Sequence, residues 1–242
     1  MIRDMSSLDP AASHAQRRDV VARFAQVAGG LVVMGVVLFG IAGTWRWAEA
    51  WLVIGVFVGI TLLAGVVFTP RHLAVVAARS RMHVAEAPLW DRVIALLWAL
   101  LAFLTPVAAA IDVRWHGVRG GSLALPVMGA IVCVAAYAVV LWSMAVNPFF
   151  ETLVRIQRER GHVTVTGGPY AYVRHPGYVG TAATILTMAL ILRSAWALVP
   201  AALGVAVLVV RTALEDRFLR EHLEGYAEYA RRVRYRLLPG VW

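Results

Sequence analysis

Six stretches of this chain are almost wholly apolar: residues 24–43, 47–69, 92–111, 122–147, 178–192 and 195–213. A helix needs about 20 apolar residues to cross the hydrocarbon core of a bilayer. Backbone polar groups at that depth must be satisfied within the segment, so such runs fold as helices. The first four are long enough to span. The last two are short, with Arg193 and Ser194 between them, and read as a tight helical hairpin whose first arm spans with difficulty. Composition agrees: 60% of the 242 residues are hydrophobic and 15% charged, against roughly 45–50% and 25% in soluble domains. A disordered chain, a coiled coil and most water-soluble folds are excluded. The fold class expected is an all-α integral membrane protein with about six transmembrane segments and a C-terminal amphipathic helix.

The arginines orient this layout. The chain has 23 basic residues, all arginine, and 14 acidic ones, for a net charge of +9. Nineteen arginines fall before the first segment, between the second and third, between the fourth and fifth, and from the end of the sixth onward. The remaining four are Arg46, Arg114, Arg119 and Arg193, on the other side. The positive-inside rule places both termini in the cytoplasm. A lysine-free chain rich in Ala, Val, Gly and Arg points to a GC-rich bacterial genome, hence to the inner membrane. Arg17-Arg18 is not an export signal, because Asp19 and Arg23 follow and the apolar run is too long. Trp45, Trp47, Trp51, Trp90 and Trp115 stand near segment ends, as interfacial aromatics do. Gly55 and Gly59 form a small-xxx-small pair of the kind that seats a neighbouring helix. The single cysteine, Cys133, excludes an internal disulfide and a Cys-rich metal site.

Polar residues gather from position 147 onward. Asn147-Pro148-Phe149-Phe150-Glu151 ends the fourth segment. A charged stretch, Val154 to Val165, contains Arg155, Gln157, Arg158, Glu159, Arg160 and His162. Thr166-Gly167-Gly168-Pro169-Tyr170 is a turn, because the glycines permit positive φ and the proline fixes the next residue. Arg174-His175-Pro176-Gly177-Tyr178-Val179-Gly180 opens the fifth segment, with Pro176 where a missing N–H costs nothing. Free N–H groups there suit an anion, and Gly177 and Gly180 leave room for a flat ligand. Arg211 and Glu215 are four apart and share a helix face near the membrane surface. Each feature also has a plain reading. Arg174 and His175 are interfacial residues, Arg211 and Glu215 an ordinary ion pair, Tyr170, Tyr172 and Tyr178 an aromatic belt, and His162 a loop histidine. Leu214, Phe218, Leu219, Leu223, Tyr226, Ala230 and Val233 recur at helical steps opposite a charged face. That is an amphipathic helix lying on the bilayer or packed on the loops. No Gly-x-Ser-x-Gly elbow, phosphate-loop lysine or Gly-x-Gly-x-x-Gly occurs. Asp112 and Glu49, on the outer side, have no obvious carboxylate partner.

In order, Gly-Pro-Tyr, Arg-His-Pro-x-Tyr-x-Gly, apolar hairpin, Arg-x-x-x-Glu-Asp-x-x-Leu, Tyr-x-x-Tyr and Arg-Leu-Leu-Pro-Gly resemble the isoprenylcysteine carboxyl methyltransferase family. Membrane phospholipid N-methyltransferases share a similar plan. The strong resemblance covers residues 147–242; Pro70 to Arg92, ending Leu89-Trp90-Asp91-Arg92, is a weaker match to a cytoplasmic loop of bacterial relatives. The resemblance implies one membrane domain, with helices over 1–146 and a cofactor-binding, catalytic region over 147–242. It implies S-adenosyl-L-methionine as cofactor, held by Gln157, His162, Val163, Thr164, Val165, Tyr170, Arg174, His175, Pro176, Gly177, Tyr178 and Glu215. Arg211 matches the arginine beside the methyl acceptor, so Arg211 and Glu215 are the catalytic candidates. The family often has two glutamates where this chain has Glu215-Asp216. The acceptor implied is lipophilic: a carboxylate, lipid amine, thiol or quinone-like hydroxyl reached from the bilayer. The reading has no place for a metal or for nucleic acid. The rival is a non-enzymatic membrane scaffold or transporter-like protein, disfavoured because segments one to four carry almost no polar residues at mid-depth.

Overall fold

The computed structural model describes residues 10–67 and 84–242. Arg3, Arg71, Arg79 and Arg81 lie outside the described residues, as do most of the segment from Pro70 to Arg92 and the side chains of Arg17 and Arg23. Seven α-helices are described: α1 Pro10–Ala42, α2 Ala48–Val67, α3 Leu89–His116, α4 Ala124–Val146, α5 Pro176–Ile191, α6 Ala195–His222 and α7 Tyr226–Arg232. Among the described residues there is no strand. Five helices, α1 to α4 and α6, are long and apolar enough to cross a membrane, and α5 is a shorter apolar helix of 16 residues. This is the all-helical membrane architecture expected.

Helix α4 packs most extensively on α5, and α3 on α6. Small residues permit the close approach, as in membrane bundles generally. A Cβ on Gly180 of α5 would collide with Ala136 O and Val140 of α4, and one on Gly129 of α4 would reach Ile191 Cγ1 at 3.0 Å. The space at Gly180 is thus taken by a helix, and that at Gly177 by the Phe150 ring, whose Cε2 a Cβ would meet at 2.7 Å. The two glycines admit protein neighbours where a flat ligand was expected. Gly55 and Gly59 have nothing within 4 Å of an added Cβ, so this pair seats no helix among the described residues.

Polar side chains brace both ends of the bundle. At the arginine-poor end Asp112, only 3% exposed, accepts from Ser194 Oγ at 2.7 Å and from Arg119 Nη2 at 3.1 Å, with His116 Nδ1 at 2.9 Å. Glu49 lies 3.5 Å from Arg193. The outer carboxylates thus pair with arginines and tie the α5–α6 hairpin tip to α2 and α3.

Helix α6 runs unbroken past its apolar part to His222. The expected amphipathic stretch 214–233 is therefore divided between the end of α6 and α7. Gly225, at φ +76°, makes the break between them. Leu223, Tyr226, Tyr229 and Ala230 are buried together with Tyr170. This part of the apolar face packs on the α4–α5 loop, and Leu219 and Val233 pack against it half-buried.

Candidate active site

The loop from α4 to α5 is built on local polar contacts. Asn147 Oδ1 accepts the Phe149 N–H at 2.9 Å, and its Nδ2 donates to the Tyr170 hydroxyl at 3.1 Å. Arg155 is buried and forks onto Glu151 at 2.8 and 2.9 Å, while its Nη1 reaches Glu86 at 2.6 Å and Glu159 at 2.8 Å. The hydrogen bond to Glu151 pushes its pKa further up, so it remains charged. His162 stacks on Phe149, with centroids 4.3 Å apart, and its Nδ1 accepts from the Gln157 N–H at 3.3 Å. Burial, with Arg155 and Arg160 beside it, holds the imidazole below its ordinary range. Gly168, at φ +57°, sits where a Cβ would come within 2.8 Å of Val146, so the turn against α4 requires glycine. The Tyr229 hydroxyl donates to Tyr170 O at 2.7 Å, and Thr164 Oγ1 donates to Glu224 O at 2.8 Å. These bonds lay the loop against the end of α6 and α7.

His175 caps α5, which begins at Pro176. The N–H groups of Tyr178 and Val179 turn to His175 O, and the His175 N–H is held by Arg236 O at 2.9 Å. The Tyr178 and Val179 N–H groups of the helix start are thus satisfied from within. Arg211 pairs with Asp91, at the start of α3, and not with Glu215. Its Nε donates to Oδ1 at 2.8 Å and its Nη2 to Oδ2 at 3.2 Å and to Thr152 O at 2.8 Å. Asp91 also accepts the Val154 N–H at 2.7 Å. Among the described residues, Nη1 is the Arg211 nitrogen with no hydrogen-bond partner.

Asp216 is a hub. Arg174 Nε lies 2.7 Å from Oδ1, in a geometry too bent for a hydrogen bond, and Arg220 Nε and Arg236 Nε each donate to Oδ2 at 3.1 Å. Tyr226 donates to Oδ1 at 3.1 Å, and its hydroxyl lies 3.3 Å from His175 Nε2. Burial, with Asp216 beside it, pushes the Tyr226 phenol upward, so it remains a donor. Asp216, with its short reach, therefore holds the chain's last residues to the start of α5.

His162, Val163, Thr164, Val165, Tyr170, Arg174, His175, Gly177, Tyr178, Arg211 and Glu215 line one cavity, of about 820 Å³ including its open mouth. Gln157 and Pro176 stand behind the wall. Gln157 is buried, donating to Phe149 O at 2.7 Å and accepting from Arg160 at 2.5 Å. Phe149, Phe150, Leu219 and Leu223 supply apolar wall, and none of them was singled out from the sequence as a site residue. Nor was Asp91. A carboxylate at the edge of an apolar run needs a partner, and that was the available signal.

The charges in the cavity do not cancel. Arg155, Arg174 and Arg211 each pair with a carboxylate, Glu151, Asp216 and Asp91, the second shared with Arg220 and Arg236. Glu215 has no arginine partner among the described residues. Tyr178 donates to its Oε2, and His175 Nδ1 lies 3.9 Å from its Oε1. His175 stacks on Tyr178 with centroids 5.8 Å apart, and the Arg211 guanidinium lies 5.5 Å from the same ring. A pocket of aromatic faces around one uncompensated carboxylate suits a ligand with positive charge.

A model of the phospholipid methyltransferase family matches residues 125–225, under half of the chain. A cobalt-zinc-cadmium resistance protein, CzcN, from Cupriavidus metallidurans is 39% identical over 81 residues, which are 32% of this chain and 37% of that protein. The chain thus spans little more than a third of the curated relative's length. The family match takes in α4 from its second residue, α5, the whole of α6 and the loops between them, including every cavity residue named from the sequence. It supports a membrane methyltransferase; the narrower isoprenylcysteine carboxyl resemblance is not part of it.

Proposed function

We propose that the chain is an integral-membrane methyltransferase that uses S-adenosyl-L-methionine on a lipophilic acceptor. The observation that carries this reading is the Glu215 carboxylate, without an arginine ion pair among the described residues, in an aromatic-walled cavity whose arginines are already paired. Such a site fits a cofactor with a sulfonium and an ammonium group. When bound, that cofactor supplies a methyl group activated for in-line displacement. Glu215 would hold a cationic or hydroxyl group, with Tyr178 fixing the carboxylate and His175 flanking it. The stretch His162 to Val165 and the Phe149 ring would form a wall for the nucleoside. Displacement needs alignment more than proton transfer, and the buried hub at Asp216 keeps Arg174 and His175 in place. Arg211, fixed by Asp91, has Nη1 left to orient the acceptor, and the apolar wall excludes water.

The test is calorimetric titration of S-adenosyl-L-methionine into the detergent-solubilised protein, with Glu215→Gln and His175→Ala alongside. Removing one partner of a desolvated polar contact costs about 1–3 kcal/mol, more when it is charged. Each variant should therefore bind about tenfold more weakly or worse while keeping a cooperative melt. Folded wild-type protein that takes up no cofactor would overturn the reading.

A further inference from the structure

Leu223, Tyr226 and Ala230 of the apolar face over 214–233 are buried inside the protein, whereas the chain after it presents apolar and basic side chains outward. Tyr235 is 37%, Leu238 52% and Val241 76% exposed. Arg231, Arg232 and Arg234 are exposed beside them, and residues 231–242 contain no acidic residue. This segment is not a loose tail. The Arg174 N–H donates to Tyr235 O and the His175 N–H to Arg236 O, both at 2.9 Å. The Arg236 and Leu237 N–H groups both donate to Trp242 O, at 2.9 and 3.1 Å, and Trp242 N–H donates back to Leu238 O at 3.2 Å. The Arg236 guanidinium lies 4.6 Å from the Trp242 ring, which closes residues 236–242 into a loop.

Its position decides what it meets. The two backbone bonds fasten it to residues 174 and 175, and Pro176 opens the apolar helix α5. The loop is thereby held at the level where the chain enters the bilayer. Aliphatic side chains exposed at that level are removed from water by entering the headgroup–acyl boundary. Arginines at the same level meet lipid phosphates, and the attraction grows with the leaflet's negative charge.

We propose that residues 231–242 form a foot that seats on an anionic leaflet, with Leu238 and Val241 inserted and Arg231, Arg232 and Arg234 on the phosphates. The seat also steadies the cavity, because the same segment holds the backbone of Arg174 and His175. The test is depth-resolved spin labelling of the full chain in nanodiscs. Val241→Cys on a Cys133→Ser background carries the label, and Glu228→Cys, exposed on α7, serves as the aqueous reference. The nanodiscs contain phosphatidylcholine alone or an equimolar mixture with phosphatidylglycerol. In the mixture the label at 241 should collide more with oxygen and less with a nickel chelate than the label at 228. That preference should fall in phosphatidylcholine alone, and in the mixture when Arg231, Arg232 and Arg234 are all replaced by Gln. Water-like accessibility at 241 in the mixture would overturn the proposal, as would equal depth in both bilayers or an unchanged depth in the triple variant.

Discussion

Arg211 and Asp91 are 120 positions apart, and no spacing rule joins them. Depth joins them: each charge stands at the edge of an apolar helix, where an unpaired charge is expensive. Asp91 is fully buried and Arg211 6% exposed. Arg211→Met therefore strands a carboxylate, and Asp91→Leu strands a guanidinium; each costs about 3–5 kcal/mol. The double variant removes both charges and should regain most of the lost stability, yet transfer no methyl groups because Nη1 is gone. Melting temperatures around this cycle check the first half, and turnover of the double variant checks the second. Losses that simply add would show that the two residues act separately. The i,i+4 rule, applied to the sequence, pointed at Glu215 as partner of Arg211. The structure gives Arg211 a partner on another helix and leaves Glu215 to the cavity. Short-range order made His175, Tyr178 and Glu215 legible as candidates. Asp91 and the burial of Gln157 depend on tertiary contacts that one chain's spacing does not encode.

At the scale of elements, hydropathy resolved the helices well and their polar ends poorly. Each apolar run became a helix because a buried backbone leaves no alternative. The amphipathic stretch 214–233 was legible as a pattern, but a pattern does not say which apolar surface a face will choose. The hairpin tip shows a similar limit: besides its near neighbours His116 and Arg119, Asp112 is held by Ser194, 82 residues later. Ser194 also caps α6, accepting the Ala197 N–H at 3.3 Å. Asp112→Ala removes the acceptor for Ser194, Arg119 and His116 together. It should lower stability by about 1–3 kcal/mol or more, as expected for buried donors left unsatisfied. It should leave cofactor affinity unchanged, because this cluster lies at the end of the bundle away from the cavity. Thermal unfolding and cofactor titration of the same preparation check both statements; a shifted affinity would mean that the two ends are coupled.

At the scale of the whole molecule, helix length and charge fix the arrangement in the bilayer. Helix α5 has 16 residues and α6 has 28. At 1.5 Å per residue these are about 24 and 42 Å long, against a hydrocarbon core of about 30 Å. Since the two start and end as a hairpin, α5 falls short of the core's full thickness and α6 overshoots it. The overshoot carries Arg211, Glu215 and Asp216 to the membrane edge, and α5 brings His175 and Tyr178 to the same level. The cavity therefore opens at the arginine-rich end of the bundle. Nineteen of 23 arginines belong to that end by sequence, so by the positive-inside rule it, and the cavity with it, should face the cytoplasm. Single cysteines on a Cys133→Ser background test this in intact cells with a membrane-impermeant maleimide. Position 120, beside the hairpin tip, should label from outside. Position 242, on the loop fastened to the cavity wall, should label only after permeabilisation. The reverse pattern would place the cavity on the other side of the membrane, away from the cytoplasmic cofactor pool that the proposed reaction needs.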